Sequence, residues 1–156
     1  MVDLTEFESI SPYTDEQASE ALGKLADHPA VAQASRYFFP EESPDFLKNV
    51  LKQIKTIDQF QVLVMQRFVR WVLEHTAKNF SYDGISNIDP NKKFLALSNH
   101  RDIIMDPAIT QLVLHTNGIP MTEIAVGDNL ITNEAIEYLI RSNRMIKVVR
   151  GISAGE

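Results

Sequence analysis

The stretch Ser98-Asn-His-Arg-Asp-Ile-Ile-Met-Asp-Pro107 holds the residue types best suited to proton transfer in this chain. His100 carries a side chain whose ordinary pKa lies near neutrality. A carboxylate beside it would fix its tautomer and leave the other ring nitrogen to take a proton from an alcohol. Asp102 and Asp106 are the available partners, and a base oriented by a third group is the general form of such chemistry. The same residues admit plainer uses. Asp106 precedes Pro107 and fits a helix N-cap. Asp102 and Asp106, four apart, would share a helix face and offer a metal two carboxylates, but no third acidic cluster accompanies them. A protein-kinase loop is excluded for His100-Arg101-Asp102, because its asparagine would fall at position 107, which is proline.

A second group lies further on. Gly127-Asp128-Asn129 follows a predicted strand and precedes a helix, a place where backbone N–H groups either meet an anion or simply make a turn. Lys147 and Arg150 close the last predicted strand. Being three apart, they point to opposite faces of a regular strand, so only one is expected to face a site. His28, His75 and His115 read as structural: one precedes Pro29, one sits in a last helical turn, one precedes the Asn117-Gly118 stop.

These residues need elements to position them. Thr14 with Gln17 and Thr56 with Gln59 read as capping boxes, and Ser43 before Pro44 as an N-cap. Helices are predicted at about 14–27, 29–38, 43–54 and 56–78. The last repeats Ile57, Phe60, Val64, Phe68, Trp71, Val72 and His75 at three- and four-residue steps. It reads as a core helix. The other reading is an interfacial helix with Lys52, Lys55, Arg67 and Arg70 near lipid headgroups, since charges interrupt it too often for a membrane span. Beyond Asn79 the pattern turns extended through Phe80–Ile85, with a turn at 88–91. Strands are predicted at 93–98 (buried), 122–126 and 145–150, and helices at 105–116 and 133–142. Strand alternating with helix gives an α/β class: an N-terminal helical region, 1–79, followed by a partial, mainly parallel sheet with flanking helices, 80–156. The sheet stops at a third or fourth strand, which leads to the expectation of a truncated domain.

At 156 residues the chain fits one domain, and 44% hydrophobic with 23% charged residues is ordinary for a globular fold. Zero cysteines exclude disulfides, a thiolate zinc site and a thiol nucleophile. The net charge of −6 is uneven: −7 over 1–50, +3 over 51–100 and −2 over 101–156. Without a cationic stripe, no nucleic-acid partner is expected. MVDLTEFESISPY lacks the basic and apolar regions of a secretory signal, so the expected location is cytoplasmic.

LALSNHRDIIMDPAI resembles the first motif of the glycerophospholipid acyltransferase superfamily, whose signature is Asn-His, four residues, then Asp. IAVGDNLITNEAIEYLIRSNRMIKVVRG is similar to the second motif region, where an aliphatic strand ends in basic residues before glycine. The resemblance covers roughly 80–151 and looks closest to the bacterial branch with a helical N-terminal extension. In this chain five residues separate His100 from Asp106; Asp106 is preferred over Asp102 because Pro107-Ala108 follows it. The third and fourth motifs are absent and would lie beyond Glu156.

The resemblance implies transfer of a fatty acyl group from a CoA or acyl-carrier-protein thioester to a hydroxyl of glycerol 3-phosphate or 1-acylglycerol 3-phosphate, in phospholipid synthesis. His100 would be the base and Asp106 its orienting group. Asn99, Arg101, Gly127, Asn129, Lys147 and Arg150 would contact substrates, with Arg150 favoured over Lys147. No metal or resident cofactor is implied. Partners would be the thioester donor and the phosphate-bearing acceptor, with peripheral contact at the inner face of the membrane. The competing expectation is a non-catalytic, membrane-associating helical module with a degenerate α/β domain; a magnesium-dependent phosphate enzyme using Asp102 and Asp106 is a third.

Overall fold

Helix starts in this chain are set by side chains that accept otherwise orphaned amides. In the capping box of Thr14, the Gln17 N–H donates to Thr14 Oγ1 at 3.3 Å and the Thr14 N–H to Gln17 Oε1 at 2.9 Å. It opens α1 (Asp15–Leu25), which buries Ala18, Ala21 and Leu22 at three- and four-residue steps. His28 Nδ1 accepts the Ala30 N–H at 3.3 Å and opens α2 (Pro29–Phe38), with proline at its first position. The computed structural model describes residues 7–99 and 101–151. It is mixed α/β, with helices preceding a short two-stranded parallel sheet. The chain groups into two compact units, one formed by the segment up to Val64 with that from Glu123 on, the other by Met65–Thr122.

In the first unit α3 (Phe46–Gln53) begins later than Ser43 suggests, because its cap comes from another helix. Asp45 makes no capping bond, whereas the buried Ser35 hydroxyl of α2 accepts the Leu47 N–H at 3.3 Å. α4 (Ile57–Phe60) has two such acceptors: Thr56 Oγ1 takes the Gln59 N–H at 3.1 Å, and Asp15 Oδ1 of α1 takes the Ile57 N–H at 2.8 Å. Leu22, Leu51, Ile54 and Phe60 are almost fully buried and form the centre of this helical core. The expected helix over 56–78 is found in pieces, as α4, a π-helical turn at Gln61–Met65 and α5 (Gln66–Thr76).

The sheet follows. β1 (Ile124–Gly127) and β2 (Met145–Val148) are parallel, in the register Ile124↔Met145 to Gly127↔Val148. They are joined through α7 (Glu134–Arg141), which Asn133 caps by accepting the Ile136 N–H at 3.0 Å. α7 packs on α1 and on β2. Between α7 and β2 the chain turns through Arg144 at φ 57°, a left-handed conformation that costs a non-glycine residue about 1–2 kcal/mol. Arg144 is held there by its own side chain. Nε donates to the buried Gln61 Oε1 at 2.9 Å and Nη2 to Asp58 Oδ1, while Gln61 Nε2 reaches Asn143 Oδ1 at 3.5 Å. Tyr13 lies with its ring 4.3 Å from the Arg141 guanidinium carbon. Burial pushes its phenol above the ordinary value, the guanidinium opposing.

In the second unit α5 packs against α6 (Met105–Thr116), with Val69, Leu112, Leu114 and Ile119 buried. α6 ends where Asn117-Gly118 predicts. The Gly118 N–H donates to the His115 carbonyl at 3.0 Å and the Ile119 N–H to that of Leu114 at 3.0 Å, the two bonds of a Schellman motif, with Leu114 and Ile119 both buried. Gln111 then fixes the exit: its Oε1 accepts the Thr122 N–H at 2.9 Å and its Nε2 donates to Thr122 Oγ1 at 2.8 Å. The expected buried strand at 93–98 is corrected. These residues form no strand and are exposed, Leu95 to 82% and Leu97 to 87%. An extended apolar run becomes a strand only when another strand takes its backbone bonds, and none of the described residues does so here. Phe80–Tyr82 likewise stays outside any ladder.

Two outcomes follow for stability. Gly118 has φ +70°, and nothing lies within 4 Å of a Cβ placed there. Gly118→Ala should therefore lose about 1–2 kcal/mol in urea unfolding through backbone strain alone; an unchanged midpoint would contradict this. Tyr13 is raised in the fold, so the stability it contributes is present below the unfolded tyrosine pKa and is lost as pH rises through the folded one. The urea midpoint should fall between about pH 9 and pH 11, and fall less in Tyr13→Phe. Equal slopes in the two proteins would refute the assignment.

Candidate functional site

The loop that enters α6 is organised by two carboxylates. Asp102 Oδ1 accepts the Ile104 N–H at 2.9 Å and the Met105 N–H at 2.7 Å, so Asp102 supplies the acceptor that opens the helix. Asp106, in the first turn of α6, folds back: its Oδ2 accepts the Arg101 N–H at 2.7 Å and the Asp102 N–H at 2.9 Å. Both negative charges sit at the positive end of a twelve-residue helix, where its dipole favours them. Of the two aspartates, Asp102 is thus the one that caps, although Asp106 is the one whose position before proline suggests a cap. His100 lies outside the described residues. Asn99 and Arg101, on either side of it, are exposed.

The first unit contains a second polar cluster, at the carboxyl ends of the parallel strands, the usual location for ligands of open α/β sheets. β1 ends at Gly127. A methyl group on Gly127 would stand 2.5 Å from Asn129 Oδ1 and 2.9 and 3.1 Å from Nε and Nη2 of Arg150. Only glycine lets the Asn129 amide and the Arg150 guanidinium close over the backbone there. The Arg150 N–H also reaches Asp128 Oδ1 at 3.4 Å. The strand register explains the meeting: Gly127 pairs with Val148, and Arg150 follows two residues on. An exposed guanidinium with two N–H groups on one edge, beside an amide, matches the geometry of a phosphate or carboxylate.

Lys147 takes a different direction. Its ammonium, on a largely buried side chain, lies 3.8 Å from Glu137 Oε1 of α7, a carboxylate that Arg141 Nη1 shares at 3.3 Å. Arg150, two residues beyond β2, stands at the strand end, whereas Lys147 lies against α7. The remaining histidines have local roles. His28 caps α2; His75 stacks on Trp71 at 4.3 Å and its Nδ1 lies 2.8 Å from the Trp71 carbonyl oxygen; His115 is exposed in the last turn of α6. Among the described residues no group of three or more His, Asp or Glu side chains is placed to hold a metal ion. None of their helices is long and apolar enough to cross a membrane.

Sequence reasoning missed Glu137, Arg141 and the Asp58–Gln61–Arg144 network. For Glu137 and Arg141 the signal was their four-residue spacing on the predicted helix; the Arg144 network pairs across 83 and 86 positions, which no local spacing reveals. No family model matches the chain, and neither a curated protein nor a solved structure is significantly similar to it.

Gly127→Ala should drive the Asn129 amide and the Arg150 guanidinium apart. Calorimetric titration with glycerol 3-phosphate is expected to show affinity at this cluster reduced about tenfold, the worth of one charge-assisted bond. Equal affinity in the two proteins would mean that the cluster does not bind phosphate.

Proposed function

We propose that the chain is an acyltransferase of glycerolipid synthesis, with His100 as general base and Asp106 as the residue that positions the loop carrying it. The observation that carries this reading is the grip of Asp106 on the Arg101 and Asp102 amides, joined to a sequence that resembles the acyltransferase motif over those residues. A catalytic imidazole on a loop works only if the loop is held, and a carboxylate that binds the two amides following position 100 does that. The acceptor hydroxyl gives its proton to the imidazole as its oxygen attacks the thioester carbonyl. The carbon–sulfur bond then breaks, and the departing thiolate takes the proton. Within the other unit, the cluster at Gly127, Asn129 and Arg150 offers affinity for phosphate, a group that coenzyme donors and glycerol-phosphate acceptors both carry. Peripheral contact with a membrane at the inner face fits the lipid nature of the acceptor's product.

The test uses the full-length protein with acyl-CoA or acyl-carrier protein as donor and glycerol 3-phosphate or 1-acylglycerol 3-phosphate as acceptor. His100→Ala should lower the transfer rate by roughly 10²–10⁴-fold, and a chelator should leave the wild-type rate unchanged. Wild-type turnover in the variant would remove the base. Loss of activity to the chelator would favour a metal-dependent phosphate enzyme instead.

A further inference from the structure

A two-stranded sheet has two open edges, and the edge of β2 away from β1 is a template for another strand unless something covers it. Within the first unit, three carbonyl groups of the segment just before α1 are directed at β2 and α7. The Ile10 carbonyl accepts the Lys147 N–H of β2 at 2.8 Å. The Glu8 and Ser11 carbonyls accept Nη2 and Nε of Arg141 at 2.5 and 2.9 Å. Arg141 is placed for this by Glu137, which holds Nη1 at 3.3 Å, and by the Tyr13 ring against its guanidinium. The bond is returned at the far end, where the Tyr13 N–H donates to the Arg141 carbonyl at 3.1 Å. The segment is itself folded into a turn by the Ile10 and Ser11 N–H groups, both donating to the Phe7 carbonyl. The Arg141 side chain is only 12% exposed.

From this juxtaposition we infer that residues 7–13 are a strap over the free edge of β2, latched by Arg141, and that the strap prevents a second copy of the chain from adding a strand there. The fork of one guanidinium satisfies two strap carbonyls while a third meets the strand itself. Phe7, Glu8 and Ser9 are exposed, and Ile10, Ser11, Pro12 and Tyr13 are half-buried. Arg141 adds to this burial two bonds to strap carbonyls and the face it presents to the Tyr13 ring. A lysine at 141 keeps the charge but cannot present two parallel donors.

The experiment is amide hydrogen exchange with sedimentation velocity on wild type, Arg141→Lys and Arg141→Ala. In Arg141→Ala the Lys147 and Tyr13 amides should exchange at least about tenfold faster, while the Ala26 amide in the helical core keeps its protection. The variant should also form dimers that the wild type does not, with Arg141→Lys between the two. Unchanged protection of Lys147, or faster exchange with a wholly monomeric protein, would overturn the proposal. Should Arg141→Ala fail to fold, the wild type answers alone. Its Lys147 and Tyr13 amides must then open together, with one free energy and one denaturant dependence, and separate openings would overturn the latch.

Discussion

One carboxylate oxygen of Asp106 gathers two backbone amides, and the entry to α6 depends on that bond pair. Asp102 is tied to the helix a second way, since its carbonyl accepts the Asp106 N–H at 3.3 Å, so the Asp106 bond matters most for the exposed Arg101. Asp102 works in the same currency one step later, taking the Ile104 and Met105 amides. The helix start is thus built from two interlocked acceptors. Each lies at the end of the macrodipole that stabilises its charge. The proposed chemistry needs this rigidity, since general-base catalysis rewards a nitrogen held within hydrogen-bond reach and loses its advantage when the loop wanders.

The strand-end cluster follows a different constraint, that of space. Gly127 leaves room for side chains that any other residue would displace, and the parallel register brings Arg150 to it. The register in turn rests on how β2 begins. Arg144 adopts a left-handed turn, and its guanidinium is bonded to Gln61 and Asp58 of the helical core of the same unit. A local backbone cost at one residue is offset by bonds to residues more than eighty positions earlier. Buried polar groups of this sort are worth most when every member is paired, as Gln61 is through both ends of its amide.

Elements with local chemical punctuation were legible from sequence. α1, α2 and α7 carry Thr14, His28-Pro29 and Asn133 at their starts, and Gly118 stops α6; these signals act over a few residues and so survive any tertiary context, whereas the start of α6 was placed correctly but its cap is Asp102 and not the expected Asp106. What depends on distant partners was not legible. Ser35 caps α3 from another helix, so the start moves from Ser43 to Phe46. Residues 93–98 have a strand's composition, but pairing makes a strand, and Leu95 and Leu97 stay exposed. For the site, Gly127, Asn129 and Arg150 could each be nominated from position, whereas their meeting required the register. Lys147 could not be assigned without Glu137, which lies on the helix between the strands.

In the proposed enzyme Asp106 acts through the loop rather than as a spare surface charge. The decisive measurement is the steady-state rate of acyl transfer by the full-length Asp106→Ala protein, with thermal unfolding recorded alongside. A fall in kcat of about a hundredfold or more, with the fold retained and the KM for the thioester donor little changed, is the predicted result. Transfer at the wild-type kcat would contradict it, because a base carried on a loop without its anchor could not then depend on the bonds that Asp106 makes.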